Sequence, residues 1–431
     1  MYDLAVIGAG WAGFNAGLQA KQLGLKTVIV DKSEIGGTCL NLGCIPTKTL
    51  IQSARVFNLT KKSSVFGLGL LDPVLDLIKI QERKDRIIQQ LRLGMRFRLK
   101  GIDFLSGEAQ LVSNQEIRIS GDKIIRARNI LIASGSKPCE LAQLKFDGKK
   151  ILSSNEALFL KNIPGSLLII GGGVIGCEFA SLFSVLGSKV TIAEKMPQLL
   201  PGEDKEIARK IENCFKKKGI RVNTDTDVLS LKPDEFDTVL VCIGRMPQID
   251  ALGLDNLGIE SENGRIVVDE YLRVNAVDVY AAGDCVSRIM LAHLAGYQGR
   301  AAVQNLAQPD NRISAYPVCV PSSIFTDPEI GSAGLNEEEA VNKGLTVDIY
   351  RFDFLGLGMA RILDETDGFI KIVADKKSGV VLGASIIGPK AAELIGIFSL
   401  AIANSITVGN LRNTLFAHPT LSESISEALR N

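Results

Sequence analysis

Short apolar runs closed by glycine set the pattern of the first half of the chain. Leu4-Ala5-Val6-Ile7 has no polar position, the mark of a strand buried on both faces. Gly8-Ala9-Gly10-Trp11-Ala12-Gly13 follows, then a helix-like stretch to Leu23, a second strand over 27–30, and Asp31. The succession then returns. A strand over 167–170 leads into Gly171-Gly172-Gly173-Val174-Ile175-Gly176, a helix to Leu186, a strand over 190–193, and Glu194. The differences 171−8, 173−10, 176−13, 187−24 and 194−31 all equal 163. A period this long predicts two copies of one supersecondary unit, not a solenoid.

Each copy is a strand, a GxGxxG turn, a helix and a second strand ending in a carboxylate. The first glycine of the turn (Gly8, Gly171) permits the tight reversal, the second (Gly10, Gly173) admits a pyrophosphate, and the third (Gly13, Gly176) lets helix and strand approach. The helix start offers unpaired N–H groups to phosphates. Asp31 and Glu194 stand where a carboxylate accepts from ribose hydroxyls. One such turn alone is weak; two, each with strand, helix and acid in place, predict a chain that binds two dinucleotides. A carboxylate at position 194 repels a 2′-phosphate, and no arginine follows it until Arg209, which favours NAD over NADP.

Composition narrows the class. The chain has 431 residues, 46% hydrophobic and 23% charged, which suits roughly three ordinary globular domains. With 49 Lys+Arg against 48 Asp+Glu, nothing draws it to nucleic acid. No apolar run reaches the ~20 residues that span a bilayer, so no membrane partner and a cytoplasmic location are expected. Of eight cysteines only Cys39 and Cys44 lie close together. An iron–sulfur run would need a cysteine at 47, which is Thr47, and a zinc site would need further ligands where the only histidines are His293 and His418. No metal site is expected. Two inert buried thiols are the plain alternative; a redox-active disulfide beside a dinucleotide turn is the better one.

Gly36-Gly37-Thr38-Cys39-Leu40-Asn41-Leu42-Gly43-Cys44-Ile45-Pro46-Thr47-Lys48 closely resembles the redox segment of the flavin-dependent pyridine nucleotide-disulfide oxidoreductases, and among them that of the dihydrolipoamide dehydrogenases. Thr47 stands for the usual serine. Gly8–Gly13 resembles the family's FAD turn, Ile132-Ala133-Ser134-Gly135-Ser136 its IATGS segment, and Gly171–Glu178 its NAD turn with the following glutamate. Ile243-Gly244-Arg245-Met246-Pro247, Ala282-Gly283-Asp284, Met290-Leu291-Ala292-His293 and His418-Pro419-Thr420-Leu421-Ser422-Glu423 resemble four further family segments, in the family's order. Leu40, Ile45, Thr47 and Glu194 set the chain apart from the glutathione reductases.

The resemblance implies a fold and a chemistry. The fold class is α/β, with two Rossmann-like dinucleotide-binding domains and an α+β C-terminal dimerisation domain. Residues 1–139 and 248–312 would form the FAD-binding domain, 140–247 an inserted NAD-binding domain, and 313–431 the interface. Cys39 would exchange with substrate and Cys44 would lie against the flavin. His418, oriented by Glu423, would be the base, and Lys48 with Glu178 would stand near flavin N5. Cofactor contacts would come from the six turn glycines, Asp31, Lys32, Gly37, Thr38, Lys48, Ala109, Ser134, Gly135, Glu194, Gly244, Arg245, Asp284, Met290, Leu291 and Ala292. The implied function is oxidation of dihydrolipoyl groups with FAD and NAD, by a homodimer acting on a lipoyl-bearing protein or free lipoamide. The alternatives are another low-molecular-weight disulfide as substrate, or a flavin-binding assembly subunit without turnover.

Four local readings complete the picture. His293, in an apolar run, is expected to be packed or flavin-adjacent rather than catalytic. Residues 81–100 read as a basic amphipathic helix, packed on one side and solvated on the other. Glu423 is expected one turn into a helix that begins at Pro419. The stretch from Gly219 to Val239 is too short for the family's antiparallel meander, so a hairpin there is either missing or cut to a tight turn around Lys232-Pro233-Asp234.

Overall fold

The fold is that of a computed structural model describing residues 1–69, 73–121 and 123–430, the side chain of Leu229 apart. The chain divides into two units: Met1–Thr49, Ile78–Cys139 and Gly244–Pro317 form the first, and Leu50–Leu77, Glu140–Ile243 and Val318–Asn431 the second.

In the first unit, the run at 4–7 lies in the strand Tyr2–Ile7, inside a seven-stranded sheet. Thr27–Asp31 and Lys123–Ile132 pair with it in parallel on either side. Leu4, Ala5 and Val6 are fully buried, as an uninterrupted apolar strand requires. The helix Trp11–Gln22 lies against the helix Ala292–Ala307 through small residues. A Cβ at Gly299 would stand 2.1 Å from the Ala12 carbonyl oxygen, so only glycine permits this approach. The basic helix begins earlier than its charges suggest, at Leu77, and runs to Arg98. It buries Lys84, Ile88 and Met95, a single stripe at helical spacing.

The second unit holds two sheets. One is parallel and five-stranded, in the order Arg221–Asn223, Lys189–Ala193, Ser166–Ile170, Thr238–Val241, Ile151–Leu152. Its connection over 224–237 contains no strand, only the single turns Val228–Leu231 and Pro233–Glu235. The hairpin is thus missing, and the parallel strands stand without it. Val228, Leu231 and Phe236 of this link pack with Leu141, Leu144 and Phe146 on the core of Leu168, Ile170, Ala193, Val239 and Val241. A few apolar side chains cover the sheet face, so no further strands are needed there. The other sheet is antiparallel, built from Ser322–Ile324, Ile330–Gly334, Val381–Ile387, Phe369–Asp375 and Val347–Asp353. Its core takes in Leu394, Ile395 and Phe398 of the helix Ala391–Ala403 and Ile425 of the helix Glu423–Ala428. No helix of the described residues is long and apolar enough to cross a membrane.

Candidate active site

The two glycine turns repeat each other's backbone contacts. Gly8 N–H donates to the Val30 carbonyl at 2.8 Å, and Gly171 N–H to the Ala193 carbonyl at 2.8 Å. Gly8 and Gly171 have φ of 107° and 100°, where a side chain is strained. A Cβ at Gly13 would stand 1.8 Å from the Gly8 oxygen, and one at Gly176 would stand 2.0 Å from the Gly171 oxygen. Asp31 accepts from Ala9 N–H at 2.6 Å and from Ser33 N–H at 2.7 Å. Glu194 accepts from Gly172 N–H at 2.6 Å and from Met196 N–H at 2.7 Å. The carboxylates therefore brace their own turns, a role the sequence did not announce. Burial holds the Asp31 pKa above the ordinary carboxylate value, against the pull of those two N–H groups.

The thiol pair sits in the first unit, on the segment that leaves the first turn. Gly37–Asn41 forms a short helix carrying Cys39, and Cys44 opens the helix Cys44–Lys61. Both are half-buried and present as thiols. The Cys39 sulfur is hydrogen-bonded to Cys44. That bond and burial push its pKa up, while the Lys48 charge works the other way. Buried Thr47 bonds back to the Gly43 carbonyl at 2.6 Å, so its hydroxyl serves the helix start. Gly37 is held close to the turn: a Cβ on it would stand 2.5 Å from Gly10 Cα.

Arg245 and Asp284 meet through Ser136. Arg245 Nε donates to Ser136 Oγ at 2.8 Å and its Nη2 to the Ser136 carbonyl at 2.7 Å. Nη2 also reaches Thr38 Oγ1 at 3.5 Å. Ser136 Oγ donates to Asp284 Oδ2 at 2.6 Å. Burial lowers the Arg245 pKa, opposed by Asp284, Cys44 and Cys139. Gly135 has φ of 75°, and its carbonyl accepts from Gln248 N–H at 2.9 Å. Gly244 has φ of 114° and accepts from Cys139 N–H at 3.0 Å. Ser134 lies beside the Cys285 thiol, and Ala109 is buried at the start of the strand Ala109–Ser113. Met290 and Leu291 lead into the helix that begins at Ala292. Lys32, by contrast, is exposed and paired with Glu108 at 2.9 Å.

In the second unit, His418 is 81% exposed at its side chain, with Nδ1 2.8 Å from Glu423 Oε1. Glu423 also accepts from Thr420 N–H at 2.8 Å; this bond and the His418 bond lower its pKa. The helix starts at Glu423 itself, not at Pro419. The intervening residues form a turn closed by the carboxylate, and this corrects the expectation. Glu178 is buried, and its Oε1 accepts from Phe325 N–H at 2.9 Å. His293 is not packed in the core, the first of the two places expected for it. It is exposed on its helix, because the buried positions there belong to Leu294, Ala295 and Gly296.

Sequence comparison decides the family. The profile of the pyridine nucleotide-disulphide oxidoreductases matches residues 2–299, and that of their dimerisation domain matches residues 320–429.

The chain belongs to the pyridine nucleotide-disulphide oxidoreductases.

Curated relatives agree. The dihydrolipoyl dehydrogenase of Chlorobaculum tepidum is 38% identical, over 99% of this chain and 96% of that one. That of Chlamydia pneumoniae is 39% identical, over the same shares. Among solved structures, LpdA from Mycobacterium tuberculosis superposes with a TM-score of 0.90 at 27% identity, covering 99% of both chains. The HOCl-induced flavoprotein disulfide reductase RclA from Escherichia coli gives 0.88 at 27% identity, over 100% of this chain and 99% of that one. As a member of this family the protein is an FAD-dependent oxidoreductase that uses NAD(H), and it carries the family's dimerisation domain. The residues fit these groups. A Cβ on Gly173 would meet nothing within 4 Å, which leaves the second turn open to a pyrophosphate. In the first unit Asp284 Oδ1 and Arg245 Nη1 have no hydrogen-bond partner among the described residues, one acceptor and one donor left over for a ligand.

Proposed function

We propose that this chain is a dihydrolipoamide dehydrogenase, working as a homodimer on a lipoyl-bearing protein or free lipoamide in the cytoplasm. A dihydrolipoyl dithiol becomes the cyclic disulfide, and NAD becomes NADH with release of one proton. The observation that carries this reading is the hydrogen-bonded pair Cys39 and Cys44 in the unit of the first glycine turn. When bound, FAD passes the two electrons between the thiol pair and NAD.

The chain's own residues have three tasks. Cys39 exchanges with the substrate sulfur, and Cys44 closes the disulfide. A proton must be held meanwhile, because the substrate thiol attacks the Cys39–Cys44 disulfide as a thiolate. His418 takes it, with Glu423 fixing the ring through Nδ1 and leaving Nε2 to face outward. His418 would serve Cys39 of the partner subunit, since the C-terminal segment is the family's dimerisation domain. Lys48 supplies positive charge near the thiols, and Glu178 is assigned to the flavin's surroundings by the resemblance. On this reading 1–139 with 248–312 bind FAD, 140–247 bind NAD, and 313–431 form the interface.

The likeness to RclA favours a second reading, a different disulfide as substrate. One assay separates the two: steady-state turnover of lipoamide and a panel of small disulfides, each with NADH and NADPH. Lipoamide with NADH should give the highest kcat/KM. Turnover of another disulfide far above lipoamide would replace the first reading with the second.

A further inference from the structure

Ser136 belongs to no step of the reaction, yet its hydroxyl hydrogen-bonds two charged groups of the first unit. It is 6% exposed. Its Oγ accepts Nε–H from Arg245 and donates its single proton to Asp284 Oδ2. Arg245 can only donate, so the hydroxyl proton has one place to go, and Asp284 Oδ2 accepts it. The result is a fixed chain: guanidinium, hydroxyl, carboxylate. Each end of the chain keeps one atom with no hydrogen-bond partner among the described residues, Nη1 on Arg245 and Oδ1 on Asp284.

The backbone makes the same point. Ser136–Pro138 and Arg245–Pro247 form a two-stranded antiparallel ribbon, with Ser136 opposite Pro247 and Arg245 opposite Pro138. The chain leaves the first unit after Cys139 and re-enters it at Gly244, next to this ribbon. Ser136 therefore ties the ribbon to the loop after the strand Val279–Ala281, which carries Asp284. Thr38, beside Cys39, lies 3.5 Å from Nη2 of the same guanidinium.

We propose that Ser136 is a positioning residue that locks Arg245 and Asp284 in one mutual orientation, so that a donor and an acceptor are presented together to the flavin dinucleotide. The guanidinium N–H suits a phosphate oxygen and the carboxylate suits a sugar-alcohol hydroxyl. Without the hydroxyl, Arg245 and Asp284 would attract each other directly and use up the groups meant for the ligand. The inference rests on the flavin occupying the first unit.

The test is the rate of FAD loss from purified holoenzyme, read as the rise in flavin fluorescence after dilution. Ser136→Ala should release FAD about tenfold faster, the scale of one lost charge-assisted hydrogen bond. Ser136→Thr keeps the hydroxyl and should restore most of the retention. Asp284→Asn supplies the decisive background. If Ser136 acts through Asp284, adding Ser136→Ala to Asp284→Asn should change the release rate less than twofold. Two outcomes overturn the inference alone: unchanged release from Ser136→Ala, or effects that multiply in the double variant. Should the double variant not hold FAD long enough to measure, Arg245→Lys serves as the background and the same comparison decides. A wild-type chain that retains no flavin would overturn the cofactor assignment as well.

Discussion

The two nucleotide turns are twins in their backbone and differ in what stands over them. Both brace a carboxylate on two backbone N–H groups, and both bury the third glycine against the first. Over the first turn comes Gly37, so near Gly10 that a Cβ would collide, and with it the segment bearing Cys39 and Cys44. Over the second turn nothing approaches Gly173. The chain leaving Glu194 touches the turn at Gly172, whose carbonyl accepts from Leu200 N–H at 2.8 Å, and runs on to Asp204, whose carboxylate caps the helix Lys205–Lys217 and bonds Lys371 at 3.0 Å. The shared motif accounts for phosphate binding. The segment after the second strand decides whether the site holds a resident group next to reacting sulfurs or stays open to a group that comes and goes.

The largest effect should come from removing the sulfur that only the first copy owns. Cys39→Ser should abolish lipoamide turnover, by at least about a thousandfold, with FAD still bound and the visible flavin spectrum retained. Nothing in the second copy can substitute, since its counterpart segment has no cysteine. Lipoamide turnover retained in this variant would remove Cys39 from the reaction.

The next effect concerns how the second copy is anchored. Lys371 is 3% exposed and pairs with Asp204, Glu206 and Glu337 at 3.0, 2.8 and 2.7 Å. Burial would lower its pKa, but those bonds outweigh burial and raise it. In the first copy, the helix that follows the glycine turn is held by close contact of small residues at Ala12 and Gly299. Lys371→Met should destabilise the second unit by roughly 2 kcal/mol, less than a wholly buried pair because two of the acids are half-exposed. The sign in pH follows. A lysine with a raised folded pKa contributes fully below its unfolded value and loses that contribution as pH rises through the folded value. The deficit should therefore be steady through neutral pH and vanish only in strong alkali. It should also shrink in acid, where the carboxylates protonate in either protein. Urea unfolding across pH checks this, and a deficit that grows in acid would contradict it.

Alanine at the third glycine should split the copies cleanly. Gly13→Ala and Gly176→Ala each drive a Cβ into a backbone oxygen, at 1.8 and 2.0 Å, so the turn must open by about an ångström at a cost of about 1–3 kcal/mol. Gly13→Ala should be purified poor in FAD. Gly176→Ala should keep its FAD and raise the KM for NADH by roughly tenfold. Flavin lost from Gly176→Ala would reverse the assignment of the two turns.

Legibility followed the range of the contacts. The turns, helices and closing acids are local, and the constant offset between copies made them readable from spacing alone. The thiol pair was readable because only four residues separate its members and because it resembles a known segment. Ser136 and Lys371 were not readable: Ser136 meets partners 109 and 148 positions away, and Lys371 meets one 167 positions away. Their sequence surroundings are an ordinary glycine–serine turn and an ordinary strand. The start of the last helix was misread for a related reason. Proline at 419 suits a first helical turn, but the Glu423 carboxylate takes Thr420 N–H and His418 for itself, and the chain turns before it winds. The short link at 224–237 was readable as a deletion; how its apolar side chains cover the sheet was not.

The smallest effect is the one that tests the acids themselves. Glu194 should make NADH preferred over NADPH, because a carboxylate at this strand end repels a 2′-phosphate. Equal kcat/KM for the two nucleotides in the unmutated enzyme would refute that directly. Glu194→Gln sharpens the point, since it removes the charge while keeping the shape. Both carboxylate oxygens accept from backbone N–H groups, Gly172 on one side and Met196 on the other. A glutamine can face only one of them with its oxygen; its amide nitrogen must confront the other donor. The variant should therefore lose one hydrogen bond at the turn and raise the KM for NADH several-fold, about 1 kcal/mol. The KM for NADPH should rise less, because the lost repulsion offsets the loosened turn. The ratio of kcat/KM for NADH to that for NADPH should fall by about fivefold without inverting, since no cation replaces the acid. The matching change Asp31→Asn should leave this ratio untouched and act on FAD retention alone. A shift of nucleotide preference in Asp31→Asn would mean that the first turn, not the second, receives the nicotinamide nucleotide.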